Sequence, residues 1–476
     1  MSTINLFGLG NQSKSPSLTA ANRLNLYYDI QTDNDKTQIA ALCTPGLDLF
    51  CTPSPNKTYG LHWMETVNKL FVVQKSTLYE VSPDGTSTAI ATISQDLNNR
   101  VSMANNGTEL CIVSGKFAFI FNTSTRTISN ITGLIAYDGQ VADTVTFLDG
   151  RFIINRPNTG QFYISGLYDG LSWDALDFAT AESHPDNIQA VIADKGNLYL
   201  LGTSSVEVWG NNGDVLFPFQ KINAAPAEVG LAARWSLSKI AGSVVGLWRS
   251  TSGMLAIGIL DGYMVNAISN QDIEYLINNY DTPQDAVGFG YVLNGKHFYQ
   301  ITFQKAAQSW LYDFQSKAWS QLKSHEITRH RVDIGCFFNN KFVVSDYESG
   351  NLYILNANTL TDNGDPIERE LVSQHVYTKS RNNMVISRLR LDVEGGAGVL
   401  EGQGENPSIM LQISRDGGHT WGNELWTTFG GQGQYTKRAE WRRLGMARDW
   451  VFKIRITDPV RVVMIAAIIE HEELNK

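Results

Sequence analysis

Short apolar runs recur along the first three quarters of the chain, and each is entered through a polar turn. Asn68-Lys69 leads into Leu70-Phe71-Val72-Val73, Gly107-Thr108 into Glu109-Leu110-Cys111-Ile112-Val113, and Asp149-Gly150 into Arg151-Phe152-Ile153-Ile154. The theme returns at Lys195-Gly196, Asn294-Gly295 and Asn339-Asn340, and more loosely at Ser252-Gly253. Gly, Asn and Asp tolerate positive φ and so suit tight hairpin turns. The apolar centres Phe71, Cys111, Ile153, Tyr199, Ala256, Tyr299 and Val343 stand 40, 42, 46, 57, 43 and 44 residues apart. A second hairpin signal follows each first one, as in Leu78-Tyr79-Glu80-Val81 and Leu352-Tyr353-Ile354-Leu355. Two hairpins per period, with almost no helical signal, predict four-stranded blades closed into a ring. An all-β sandwich rarely sustains one period over such a length.

The pattern divides the chain into three parts. Residues 60–377 carry seven candidate blades of a β-propeller, or six if the loose repeat around Ala256 is not one. The long interval before Ala256 includes Asn223 to Arg234 with Pro226, read as a loop on one face. Gln271 to Asn278 is the one short helical signal. Residues 378–476 break the period but alternate, as in Ser387 to Val393, Ile409 to Ser414 and Val451 to Thr457; a C-terminal β-sandwich-like domain is expected. Residues 1–59 hold two extended segments around a polar turn at Thr32–Lys36. They read as an arm that packs on the C-terminal domain and is not needed to build the ring.

Composition supports a large folded core: 43% of 476 residues are hydrophobic and 18% charged. A net charge of −9 disfavours a role in coating nucleic acid. Cys43, Cys51, Cys111 and Cys336 form no C-x-x-C pair, which fits a reducing cytoplasm and gives no zinc or redox motif. No signal peptide is legible, and the longest apolar run, Val462 to Ile469, is too short for a membrane-spanning helix.

One motif is specific as a local fold. Ser414-Arg415-Asp416-Gly417-Gly418-His419-Thr420-Trp421 fits the Asp-box pattern, in which Ser414, Asp416, Gly418, Thr420 and Trp421 organise a hairpin. Asp-boxes are common in sialidases, so a sialidase-like or carbohydrate-binding propeller is the rival reading. Against it, no set of arginines and paired carboxylates for glycoside chemistry is visible. Gly290 to His297 falls short of a P-loop because His297 replaces the Mg²⁺-binding hydroxyl and no helix pattern follows. His325 and His330 are one residue too far apart for a zincin motif. The acidic turns Asp33-Asn34-Asp35 and Asp362-Asn363-Gly364-Asp365 do not continue into a calcium loop. The expectation is no catalytic set, no cofactor and no metal.

Charge is uneven. Between Lys437 and Arg461 eight cations face three carboxylates. Arg438, Arg442, Arg443, Arg448, Arg455 and Arg461 are the candidate assembly interface, read as docking a protein partner rather than DNA. Reversing Arg442 and Arg443 is expected to block that docking.

Arg23-Leu24-Asn25-Leu26-Tyr27, followed by Thr44-Pro45-Gly46-Leu47, resembles the opening of the tail hub proteins of short-tailed phages, also called packaged-DNA stabilisation or tail accessory factors. The Asp-box with Trp441-Arg442-Arg443-Leu444-Gly445 and Arg455-Ile456-Thr457-Asp458-Pro459-Val460 is similar to their C-terminal segment. Tyr28-Asp29 departs from the Pro-Glu usual in the opening string. The resemblance implies a non-enzymatic virion tail protein, assembled in the host cytoplasm with no membrane anchor. It implies a homo-hexameric ring below the portal and its adaptor, which retains DNA with a plug or needle and carries tailspikes or fibres. DNA would only pass through transiently.

Overall fold

Paired residues at positive φ set the hairpins. In the computed structural model, Asp149 with Gly150, Lys195 with Gly196, Asn294 with Gly295 and Asn339 with Asn340 have φ between 44° and 79°. Each pair is a two-residue loop between facing strand ends, for example Leu293 opposite Lys296 and Phe338 opposite Lys341. Two successive positive φ values match the right-handed twist of the flanking strands. The structure describes all residues except 1, 5–7, 9, 12–14, 34–35, 94–98, 135–137, 182–185, 215–216, 223–226, 397 and 475–476. Asn34 and Asp35 of the expected polar turn, and Asn223 to Pro226 of the expected loop, therefore lie outside the described residues.

Among the described residues, seven antiparallel four-strand meanders follow one another. The first runs from Thr58–Met64 to Ser87–Thr92, and the sixth from Val287–Leu293 to Ala318–Leu322. Alternate residues of the middle strands face opposite neighbours. Phe71 and Val73 pack with Leu110 and Phe121 of the second meander, while Leu70 and Val72 pack with Val343 and Leu352 of the seventh. Cys111 then meets Phe152, Ile153 meets Leu198, Tyr199 meets Trp248, Leu247 meets Tyr299, and Phe298 meets Tyr353. This cycle of cores closes a β-propeller. It explains why the middle strands read as continuous apolar runs: both of their faces are buried, each large side chain contributing about 1.5–3 kcal/mol.

The seventh meander corrects the expectation of a self-contained ring. Its strands Val332–Phe338, Lys341–Asp346 and Leu352–Asn356 are completed by Gly46–Cys51 from the N-terminal segment, paired antiparallel to Leu352–Asn356. Closure by a strand from the other chain end fixes both termini of the ring in one sheet. The fifth meander contains the loose repeat. Leu255–Asp261, around Ala256, is a true strand between Ser243–Ser250 and Met264–Ala267. The extra length before it lies in a divided innermost strand: Val229–Leu231 and Ser238–Ile240 both pair with Ser243–Ser250. Between them the 3-10 turn Arg234–Ser236 carries Arg234 and Trp235 to the axis of the ring.

The C-terminal domain is a β-sandwich that also takes in the N-terminal segment. One sheet orders Leu26–Asp33, Lys36–Cys43, Val463–Glu473, Met384–Val393 and Ala439–Ala447, with Ser2–Ile4 also on Val463–Glu473. The other holds Asn22–Leu24, Arg369–Val372, Val451–Ile456, Ser408–Ser414 and Leu425–Thr428. Leu389, Leu391, Leu411, Trp441, Trp450 and Ile454 fill the space between them. The expected boundary at 377 therefore falls late, because Arg369–Val372 already pairs with Val451–Ile456. Leu24 pairs in parallel with Gln321 of the sixth meander, so one nine-stranded sheet runs from ring to sandwich. The helix Gln271–Asn278 forms where expected, with the Asn270 side chain accepting from the Ile273 amide.

Candidate assembly interface

The motif that opens the resemblance lies at the junction of ring and sandwich. Arg23 is fully buried. Its guanidinium donates to the carbonyls of Gly8 and Trp319, and lies 4.8 Å from the centre of the Tyr28 ring. The Tyr28 hydroxyl also donates to the Gly8 carbonyl at 3.1 Å. Asn25, at φ 52°, donates to the carbonyls of Lys323 at 2.8 Å and Glu368 at 2.7 Å. The Thr44 hydroxyl donates to the Asn25 carbonyl at 3.2 Å. A buried charge is tolerated where it is hydrogen-bonded, and here those bonds join arm, ring and sandwich. The sequence signal was an Arg and an Asn inside an otherwise apolar strand; their role was not read from it.

The Asp-box residues form a closed hydrogen-bonded hairpin. Ser414 Oγ donates to Asp416 Oδ1 at 2.7 Å and accepts from the Gly418 amide at 2.8 Å. Asp416 also accepts from the Thr420 amide at 2.9 Å and the Thr420 hydroxyl at 2.6 Å. These bonds, led by those from the Ser414 and Thr420 hydroxyls, hold the Asp416 carboxyl well below the usual range. Trp421 is half-buried, packed against Ala20, Val372 and Val451, with the Lys453 ammonium 4.3 Å from its ring centre. The hairpin also holds the arm. His419 meets Ser17 Oγ at 2.9 Å, and His375, hydrogen-bonded to Asp449 at 2.9 Å, meets the Pro16 carbonyl at 2.7 Å.

The six candidate arginines do not make one patch. Arg442 and Arg443 lie on Ala439–Ala447, at the edge of one sandwich sheet, and Arg455 lies on the opposite sheet. Arg455 is surrounded by Glu424 at 2.8 Å, Glu368 at 3.5 Å and Glu370 at 3.9 Å. Arg438 pairs with Asp392 at 3.1 Å, Arg442 with Glu440 at 2.5 Å and Arg461 with Glu394 at 3.6 Å. Arg388 and Arg390 share Glu440 and Glu470 across the same sheet face. Carboxylates distant in sequence thus offset four of the eight cations of the run, Arg438, Lys453, Arg455 and Arg461. Among the described residues Arg443 and Arg448 are exposed without an ion-pair partner.

The ring axis is concave. A cavity of about 420 Å³ is lined by His62, Asn105, Thr146, Arg234, Trp235 and Lys239. Arg234 pairs with Asp143 at 2.7 Å and donates from Nε to the Gln189 carbonyl at 2.6 Å. Burial pushes His62 down to about 4 and also lowers Lys239. Nearby, Asp333 is fully buried among Arg100 at 2.8 Å, Arg329 at 3.4 Å and Lys57 at 3.5 Å. Burial alone would raise its pKa, but the cations Arg100, Lys57 and Arg329 together hold it below the usual value. The P-loop-like stretch is a plain Asn-Gly hairpin, and Asp362 and Asp365 engage Ser324 and Arg331. Among the described residues no cluster of three His, Cys, Asp or Glu side chains is placed to hold a metal, and no helix is long and apolar enough to cross a membrane.

Two family models match the chain. One, described as the β-propeller of bacteriophage P22 Gp10, covers residues 4–360; the other, its β-sandwich, covers residues 368–472. No curated protein sequence matches. Among solved structures, a streptogramin B lyase is 9% identical with TM-score 0.43, covering 66% of this chain and 98% of its own. The Neurospora crassa Pan2 WD40 domain is 10% identical with TM-score 0.42, covering 66% and 95%. An inactive virginiamycin B lyase from Staphylococcus aureus is 9% identical with TM-score 0.43, covering 70% and 99%.

Proposed function

We propose a tail-hub function from one premise: this chain belongs to the bacteriophage P22 Gp10 family of phage stabilisation proteins. It is a phage structural protein of the virion. Beyond that, we read it as a seven-bladed, non-enzymatic hub of six copies, assembled in the host cytoplasm and docked below the portal and its adaptor. There it would retain packaged DNA together with a plug or needle, form part of the ejection channel and anchor tailspikes or fibres.

The observation that carries this reading is the succession of both family domains along one chain. Two physical features support it. The nine-stranded sheet couples ring and sandwich through backbone hydrogen bonds, as a load-carrying part requires. The net charge of −9 suits a wall past which DNA slides without being held. Filled heads assembled without this protein should lose their DNA, and adding the purified chain should restore retention. Heads that keep their DNA without it would refute the hub reading.

A further inference from the structure

A strap of the N-terminal segment crosses the sandwich at the Asp-box hairpin. Its ends are tied elsewhere. Asn11 is fully buried and its carboxamide donates to the Trp319 carbonyl at 3.1 Å, while Asn22–Leu24 pairs with Arg369–Val372. Between these anchors two histidines of the sandwich reach residues 15–20. His375 Nε2 lies 2.7 Å from the Pro16 carbonyl and His419 Nε2 lies 2.9 Å from Ser17 Oγ. The approach is close. A methyl group on Gly417 would stand 3.3 Å from the His375 ring and 3.2 Å from the Asp449 carboxylate, and one on Gly418 would stand 2.9 Å from the Ala20 side chain. Leu18, the largest side chain of the strap, is 76% exposed, so apolar burial does little to hold it.

His375 makes contacts that a neutral ring cannot hold together. Its side chain is 9% exposed. Nδ1 lies 2.9 Å from the Asp449 carboxylate and Nε2 faces the Pro16 carbonyl. A carboxylate and a carbonyl only accept, and a neutral imidazole has one N–H to give. Both contacts together therefore need one proton more than a neutral imidazole and an ionised carboxylate carry between them. Without it, a ring lone pair faces an oxygen at one of the two contacts. His419 differs, because the Ser17 hydroxyl donates or accepts and so suits a neutral ring. The other charges nearby are accounted for. Asp416, joined to Asp449 by a backbone bridge, is engaged by Ser414 and Thr420 and held as an anion by those bonds. Arg415 donates to the Leu444 carbonyl at 2.7 Å, and Arg448 is exposed. Residues 15–20 carry no titratable side chain, and Gln374 and Val376 beside His375 are uncharged.

We infer that the His375–Asp449 pair is a proton-operated latch: with the extra proton it ties residues 15–20 to the sandwich, and without it the strap lifts while both anchors stay in place. The latch needs no partner and so is independent of the tail-hub reading. Closing the strap stabilises the protonated pair, so closure takes up a proton. The strap is therefore held at lower pH and released as pH rises. Release would uncover the small apolar site where Ala20 packs against Val372 and Val451.

The test is hydrogen exchange of residues 15–21 in the full-length chain, read as protection factors from about pH 5.5 to about pH 8.5, either side of the ordinary imidazole value of about 6.5. Wild type should lose roughly fivefold or more in protection over that range, the scale of one lost hydrogen bond. Asp449→Asn separates a latch from a merely structural contact. Its amide donates to Nδ1 of a neutral ring whose Nε2–H still reaches Pro16, so protection should stay high at every pH. His375→Gln keeps a donor for Pro16 but does not titrate, so its protection should be flat, and His419→Gln should keep the wild-type profile. An unchanged thermal transition shows that each variant is folded; should Asp449→Asn fail to fold, His375→Gln decides. Wild-type protection that does not vary with pH, an Asp449→Asn chain that titrates like wild type or loses the strap at every pH, or a His375→Gln chain that still titrates would each overturn the inference. A profile abolished by His419→Gln would assign the pH dependence to His419 and also overturn it.

Discussion

Arg100 Nη2 lies 2.8 Å from Asp333 Oδ1, joining the entrance of the second meander to the innermost strand of the seventh across the closure of the ring. Asp333 is fully buried; Arg329 stands 3.4 Å from the same oxygen, and Lys57 3.5 Å from Oδ2. Asp333→Asn would strand buried guanidinium groups, so unfolding free energy should fall by about 3–5 kcal/mol in a denaturant titration. The pH dependence has a definite sign. Because the folded pKa lies below the unfolded one, the contribution is complete above the ordinary carboxylate range. It is lost as pH falls from that range towards the folded value. Wild type should therefore lose stability below about pH 4 more steeply than Asp333→Asn.

Arg23→Ala removes donors from the Gly8 and Trp319 carbonyls and leaves a void in the junction. The expected loss is about 2–5 kcal/mol. Amide hydrogen exchange should rise first at residues 15–24, with cleavage of the arm by added protease. Unchanged protection there would show that the arm is held without Arg23.

Leu47 and Leu49 test the closing strand. Leu47 is 1% exposed between the sixth and seventh meanders, whereas Leu49 is 52% exposed. Leu47→Ala should cost about 2–5 kcal/mol, and Leu49→Ala no more than about 0.5 kcal/mol. Equal effects in thermal unfolding would contradict the burial of Leu47 at the closure of the ring.

Trp421→Ala should cost less than the 3–5 kcal/mol of a fully buried tryptophan, because the ring is half-buried beneath Lys453. Calorimetry of the variant checks this. The Asp416 carboxyl is held low, so its hydrogen bonds are fully present above the ordinary carboxylate range and are lost only at more acid pH. Tryptophan fluorescence of the hairpin should accordingly be flat from pH 7 to pH 4, roughly the unperturbed carboxylate range. Asp416→Ala should shift it at every pH.

The alternating and continuous apolar runs determined the local structure by themselves. The Asn-Gly and Asp-Gly turns, the two hairpins per period, the helix after Asn270 and the Asp-box hydrogen bonds depend on neighbours in the chain, so they are legible in it. Tertiary structure decided what depends on distant partners. Gly46–Cys51 reads as a generic strand, and only the missing fourth strand beside Leu352–Asn356 makes it the closure of the ring. Arg23 reads as a surface cation until Gly8 and Trp319 bring carbonyls to it. The run from Lys437 to Arg461 is basic along the sequence, but half of its cations are paired in space, because Glu368, Glu370, Asp392, Glu394 and Glu424 arrive from other strands. Charge acts through distances of a few ångströms, and sheet pairing sets those distances across hundreds of residues.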